Sequence, residues 1–153
     1  FVWWCIVGSL IGTVALIALT NYILGALPDI GGQQITLQRI LGVFMYPFAW
    51  LLDIVPSDIT AISQILGTKT AINELVAFFD LAKAGVDPMS VTKAIYAINN
   101  FGNFACIGIT VGGISALAPS QKCIAPLAWK AFLAGLLATG LTSMIMSVFL
   151  DFV

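Results

Sequence analysis

Three stretches of this chain carry no charged residue: 1–28, 94–121 and 131–150. Each meets or exceeds the ~20 residues that an α-helix needs to cross a ~30 Å hydrocarbon core, so the pattern predicts three spanning helices. The first covers about residues 2–27 and stops at Pro28-Asp29, ahead of the Gly31-Gly32 breaker. Trp3 and Trp4 suit one membrane interface and Tyr22 the other. Gly8 and Gly12 form a GxxxG step with Ser9 and Thr13 beside them, a pattern that lets two helix backbones approach. The second span opens on Asp87-Pro88, an N-cap followed by an N1 proline. Asn99, Asn100, Gly102 and Asn103 interrupt it, which predicts a discontinuous helix over 88–118. Ala118-Pro119-Ser120 turns the chain into the last span, about 123–149. There Gly135, Thr139, Ser143 and Ser147 recur every fourth residue as a packing stripe.

The two remaining segments are too short to span. In residues 33–55, Gln33, Gln34, Thr36, Gln38 and Arg39 precede Phe44, Tyr46, Phe48 and Trp50, and Pro47 interrupts the apolar run. Aromatic rings at headgroup depth suit a helix lying in the interface. In residues 57–84, Ser57 or Asp58 caps a short apolar helix, Gly67-Thr68 breaks it, and a second limb follows over about 69–83. Two limbs of that length make a re-entrant helical hairpin, which is tolerated at membrane depth only inside protein or beside a water-filled cavity. The expected architecture is therefore an all-α membrane protein. It has three spanning helices (one broken mid-membrane), one interfacial helix and one re-entrant hairpin, at 1–28, 33–55, 57–84, 88–118 and 122–151.

Composition sharpens this. The chain of 153 residues is 60% hydrophobic and 8% charged, against ~25% charged in soluble domains, so a water-soluble globule is excluded. Six Lys+Arg against seven Asp+Glu, net −1, exclude a nucleic-acid binder built on a basic patch. The absence of histidine removes the commonest general base and metal ligand. Cys5, Cys106 and Cys123 are too dispersed for a disulfide scaffold or a zinc site. Lys83, Lys93 and Lys122 flank both ends of the broken helix, so the charge count leaves orientation open. A chain that starts on Phe inside an apolar run is expected to be the C-terminal part of a larger membrane protein.

Candidate chemistry concentrates in the hairpin and the broken helix. Glu74 lies in the second limb, where an ionised carboxylate costs roughly 2.5–3.5 kcal/mol unless it meets a polar cavity or a partner. An ion pair with Lys69 would satisfy it; so would substrate hydroxyls or an exchanging proton or cation. Asn99, Asn103, Cys106 and Thr110 fall at i, i+4, i+7 and i+11, a polar line whose amides suit a neutral polyhydroxylated solute. A hairpin beside a glycine-broken helix is the layout of a secondary transporter's midplane site. Two other classes remain open. One is an intramembrane enzyme with Glu74 as base and Cys106 as nucleophile, which lacks an activating histidine; the other is a non-catalytic membrane subunit supporting a partner.

At these residues the sequence resembles the C-terminal half of the concentrative nucleoside transporter family. Gly67-Thr68-Lys69 followed by Asn73-Glu74-Leu75-Val76-Ala77-Phe78 is similar to the family's G-T-K-x-x-x-N-E-F-V-A-Y. Phe101-Gly102-Asn103-Phe104-Ala105-Cys106-Ile107-Gly108-Ile109 resembles G-F-A-N-x-S-S-I-G-I, and Gly112-Gly113-Ile114-Ser115-Ala116-Leu117-Ala118-Pro119 follows as in the family. The resemblance implies a nucleoside:cation symporter coupled to Na+ or H+, without organic cofactor and with no metal site in this half. It implies a multi-pass protein of the plasma (cell inner) membrane, a homotrimer completed by the N-terminal half of the same protein. In that protein residues 1–28 belong to the scaffold and 57–151 to a mobile transport domain. It assigns ribose contacts to Glu74 and Asn103, and a pocket aromatic to Phe101. A third ribose contact, a serine in the family, is Cys106 here. A thiol is a weaker donor than a hydroxyl, so sugar recognition is expected to differ. The family reads the nucleobase, and coordinates sodium, with residues of the N-terminal half.

Overall fold

A computed structural model describes residues 2–28, 32, 34–99, 102–117 and 124–152. Within them the chain is all-helical: α1 (Val2–Leu24), α2 (Leu37–Leu51), α3 (Ile59–Ala71), α4 (Glu74–Lys83), α5 (Pro88–Ile98), α6 (Phe104–Leu117) and α7 (Ile124–Leu150). Among the described residues, α7 alone meets both the length and the hydropathy that a membrane crossing requires. Trp3, Trp4 and Tyr22 of α1 are exposed, and the charge-free run of 94–121 is divided between α5 and α6.

α2 forms because Thr36 caps it, its Oγ1 accepting from the Arg39 N–H at 3.3 Å. Asn21 of α1 holds the same end: its Oδ1 accepts from the Leu37 N–H at 2.8 Å and its Nδ2 donates to Gln38 Oε1 at 3.0 Å. Gly42, Met45 and Ala49 make the buried stripe of α2, while Val43, Phe44, Tyr46 and Trp50 stay exposed. That stripe lies on α3, and the core they share with Leu52, Ile62, Leu66, Ala77, Ala94 and Ile98 is continuous across α2–α5.

The crossing of α2 and α3 corrects one expectation. Gly67-Thr68 does not break the hairpin; α3 runs through it to Ala71, and the break falls at Ile72–Asn73. Gly67 is glycine because of contact. A Cβ there would fall on the Gln38 carbonyl oxygen and 2.5 Å from Gly42 N. Gly42 answers from the other helix, where a Cβ would stand 3.0 Å from Gln64 Cα. Two glycines thus set the closest approach of the two backbones.

The polar line expected along 99–110 is corrected too. α5 ends at Ile98 with Asn99 as its exposed C-cap, so the helical register does not carry from Asn99 to Asn103. Asn103 begins a new register as the residue before α6.

The α7 stripe divides its work. Ser147 Oγ donates to the Leu52 carbonyl, Ser143 Oγ to the Thr139 carbonyl, and Gly140 makes room for the Phe48 ring. Gly108 of α6 does the same for Thr13 of α1. Gly8 and Gly12 meet nothing within 4 Å in this chain.

At the far end from the breaks, Lys93 of α5 is 3% exposed and ties three segments together. Its Nζ lies 3.3 Å from Asp53 Oδ2 and 2.7 Å from Asp151 Oδ1, and donates to the Asp53 carbonyl at 3.0 Å. Asp53 adopts φ +52°, a left-handed turn that Asp and Asn tolerate. The two acids are 82% and 43% exposed, so the cost of breaking the cluster is asymmetric. Lys93→Met releases two carboxylates to water and is expected to be mild. Asp53→Asn with Asp151→Asn leaves a buried ammonium short of acceptors, at about 2 kcal/mol. Chemical denaturation of the full-length protein checks the order, and Lys93→Met being the more damaging change would overturn it.

Candidate functional site

The site is built where two helix breaks meet. Asn73 has extended backbone and caps α4, its Oδ1 accepting from the Val76 N–H at 3.0 Å. Glu74 is then the first residue of α4, where the positive end of the helix dipole favours a carboxylate. Asn103, 1% exposed, plays the capping part for α6, with Oδ1 accepting from the Cys106 N–H at 2.8 Å. The other end of the same amide crosses the gap: Asn103 Nδ2 donates to Glu74 Oε2 at 3.2 Å. A third tie comes from α3, where Lys69 Nζ donates to the Gly102 carbonyl at 2.9 Å.

Of the candidate residues, Glu74 and Asn103 are therefore brought together, although 29 residues apart in sequence. Cys106 follows in the first turn of α6, half-buried, and helps to line a cavity of about 450 Å³ between α6 and α7. Gly102, Thr110, Phe132, Gly135 and Thr139 share that cavity. Phe101, and with it Asn100, lies outside the described residues, as does Cys123. Asn99 stands apart as an exposed cap.

Sequence reasoning overlooked two members, Lys69 as a tie between the breaks and Asn73 as a cap. The signal for Asn73 was present, an Asn directly before an acidic first turn. It was masked by Gly67-Thr68, which reads as the stronger breaker from sequence alone.

Chemically, the pair is a hydrogen-bonding surface. Asn103 spends one N–H on Glu74 and one lone pair on the Cys106 N–H, and its side chain also meets the Cys106 thiol; the Asn103 bond takes one of about four lone-pair positions on the carboxylate. Donors and acceptors fixed side by side bind hydroxyls without forming or breaking covalent bonds.

Helices broken in mid-course, with a half-buried carboxylate and a buried amide at the breaks, are an arrangement that membrane transport proteins use. Comparison with known proteins takes the assignment further. Residues 2–147 match the family described as "Na+ dependent nucleoside transporter C-terminus". An uncharacterised transporter of Haemophilus influenzae is 36% identical over 154 residues, covering 92% of this chain and 36% of that protein. The purine nucleoside transport protein NupG of Bacillus subtilis is 31% identical over 148 residues, 94% of this chain and 36% of that protein. A solved structure of a double variant of CNTnw in an outward-facing state superposes with a TM-score of 0.85 at 31% identity, covering 97% of this chain and 39% of that one. The chain belongs to the concentrative nucleoside transporter family and corresponds to its C-terminal part. It is a transporter segment and not an enzyme, and it spans about 36% of the length of the curated relatives named here.

Proposed function

We propose that this chain is the C-terminal half of a nucleoside:cation symporter of the cell inner membrane, and that its share of the work is to bind the ribose. The observation that carries the reading is the 3.2 Å bond between Asn103 Nδ2 and Glu74 Oε2. It sets a carboxylate and an amide at one point, where a pair of vicinal hydroxyls can donate to the first and bond with the second. Cys106 and Phe101 complete the sugar contacts. Glu74 meets an amide as well as the charge of Lys69 there, and it is the amide that favours a substrate site over the reading of a purely supporting subunit.

On this reading α3 and α4 enter the membrane as a re-entrant hairpin, α1 and α7 span it, α5 and α6 together make a third, discontinuous span, and α2 lies in the interface. Residues 57–151 move as the transport domain against a scaffold that includes residues 1–28, within a homotrimer. The N-terminal half supplies the nucleobase and cation contacts. The name of the matched family favours Na+ over H+ as the coupling ion.

Uptake of labelled uridine by the full-length parent tests this. Glu74→Gln replaces charge-assisted acceptors by neutral ones and is expected to raise KM about 10-fold, from the roughly 1–1.5 kcal/mol that separates a typical hydrogen bond to a charged group from a neutral one. Unchanged KM and unchanged maximal uptake would remove Glu74 from the site and the reading with it.

A further inference from the structure

Lys69 is the bulkiest fully buried side chain among the described residues, 1% exposed. It sits on the last turn of α3, before the break at Ile72–Asn73, and its Nζ donates to the Gly102 carbonyl 33 residues away, at 2.9 Å. Gly102 immediately precedes Asn103, whose amide meets Glu74 at 3.2 Å on the other side of the same break. The two breaks are thus held at two adjacent points. One is an ammonium on the carbonyl of residue 102, and the other is an amide of residue 103 on a carboxylate.

The chemistry of the choice is informative. Space of this shape would be filled at lower cost by an apolar side chain, since an ammonium taken out of water is unfavourable unless charge-assisted bonds compensate it. An ammonium has three donors and a reach of four methylenes, which lets it grip a carbonyl on a separate element. Without that grip, the backbone before Asn103 is held less tightly, and the orientation of the amide rests more on its contacts with residue 106 and Glu74.

We infer that Lys69 is a positioning residue: by pinning the Gly102 carbonyl it presets the Asn103 amide against Glu74, and so fixes the geometry that selects a sugar bearing both ribose hydroxyls. This rests on the ribose reading of Glu74 and Asn103.

The test compares uridine with 2′,3′-dideoxyuridine in the full-length parent. Lys69→Met, close in volume, is expected to raise KM for uridine about 10-fold or more while maximal uptake stays within about 2-fold of wild type. KM for the dideoxy substrate, which lacks the hydroxyls, should hardly move, so the preference between the two collapses. Lys69→Gln, which keeps a polar end, is read alongside. Equal rises in KM for both substrates, or failure of both variants to reach the membrane folded, assign Lys69 to structure alone and overturn the inference. So does a wild-type preference in either folded variant when Glu74→Gln impairs uridine uptake. If Glu74→Gln itself changes nothing, the ribose reading fails instead.

Discussion

Gly67→Ala is expected to destabilise the full-length protein more than a change to alanine at any other glycine whose surroundings are described. The added methyl has no flexible neighbour to displace: it meets the Gln38 carbonyl and stands 2.5 Å from Gly42 N, both backbone. Relief requires α2 and α3 to move apart, which opens the core that Met45, Ala49, Ile62 and Leu66 close. Overpacking of this kind reaches the upper end of ~1–3 kcal/mol, and the accompanying loss of core contact adds to it. An apparent Tm lower by roughly 5 °C or more follows, measured by thermal denaturation of the purified protein in detergent. The remaining glycines give a graded scale. Among the glycines packed between helices, Gly42→Ala, 3.0 Å from Gln64 Cα, comes next, and Gly140→Ala, 3.2 Å from a Phe48 ring carbon that can turn aside, is milder. Gly113→Ala meets nothing within 4 Å, and alanine's better helix propensity, by ~1 kcal/mol, leaves it neutral or slightly stabilising. Equal stability of the Gly67 and Gly113 variants would refute the contact account of Gly67.

Asn103→Asp is expected to have the largest effect on uptake, for a reason that can be separated from folding. Aspartate caps a helix as well as asparagine does, so the bond to the Cys106 N–H survives. What changes is the other end of the side chain. A donor 3.2 Å from Glu74 becomes an acceptor, and two acidic side chains face each other with no donor between them. On the proposed reading the hydroxyl site loses its amide donor and its geometry together, and KM for uridine rises about 100-fold, the ~2.7 kcal/mol of two such losses. Asn103→Ala removes the cap as well, at ~1 kcal/mol, and should lower the apparent Tm further than Asn103→Asp does. Wild-type KM in Asn103→Asp would show that the amide takes no part in substrate recognition.

Much of the architecture was legible because charge-free length is a coarse signal and survives local detail. The last span was read as 123–149 and the helix observed is Ile124–Leu150; the interruption read at 99–103 lies between Ile98 and Phe104. The hairpin break was misplaced because glycine has two uses that sequence does not separate. It can end a helix, and it can admit another helix's backbone; which one applies at Gly67 depends on Gly42, 25 residues upstream, and on a crossing that no local pattern encodes. The same limit hid the hydrogen-bond partners of Lys69 and Lys93. A lysine in an apolar run signals only that some partner exists. For Lys69 that partner is the backbone carbonyl of Gly102, which leaves no trace in residue type. Glu74 and Asn103 were each visible as polar atoms out of place in an apolar setting, and the resemblance joined them. Their contact is a matter of how α4 and α6 begin, since each helix opens beside the other's break.

The bond between the Cys106 N–H and Asn103 uses the backbone of residue 106, and the Cys106 thiol meets the same Asn103 side chain. The capping bond itself requires no particular side chain at 106, whereas Asn103 is committed to both Glu74 and residue 106. On the proposed reading, position 106 is where sugar preference can drift or be redesigned while the backbone bond of the cap is kept. Asn103 is the point around which such change must pivot.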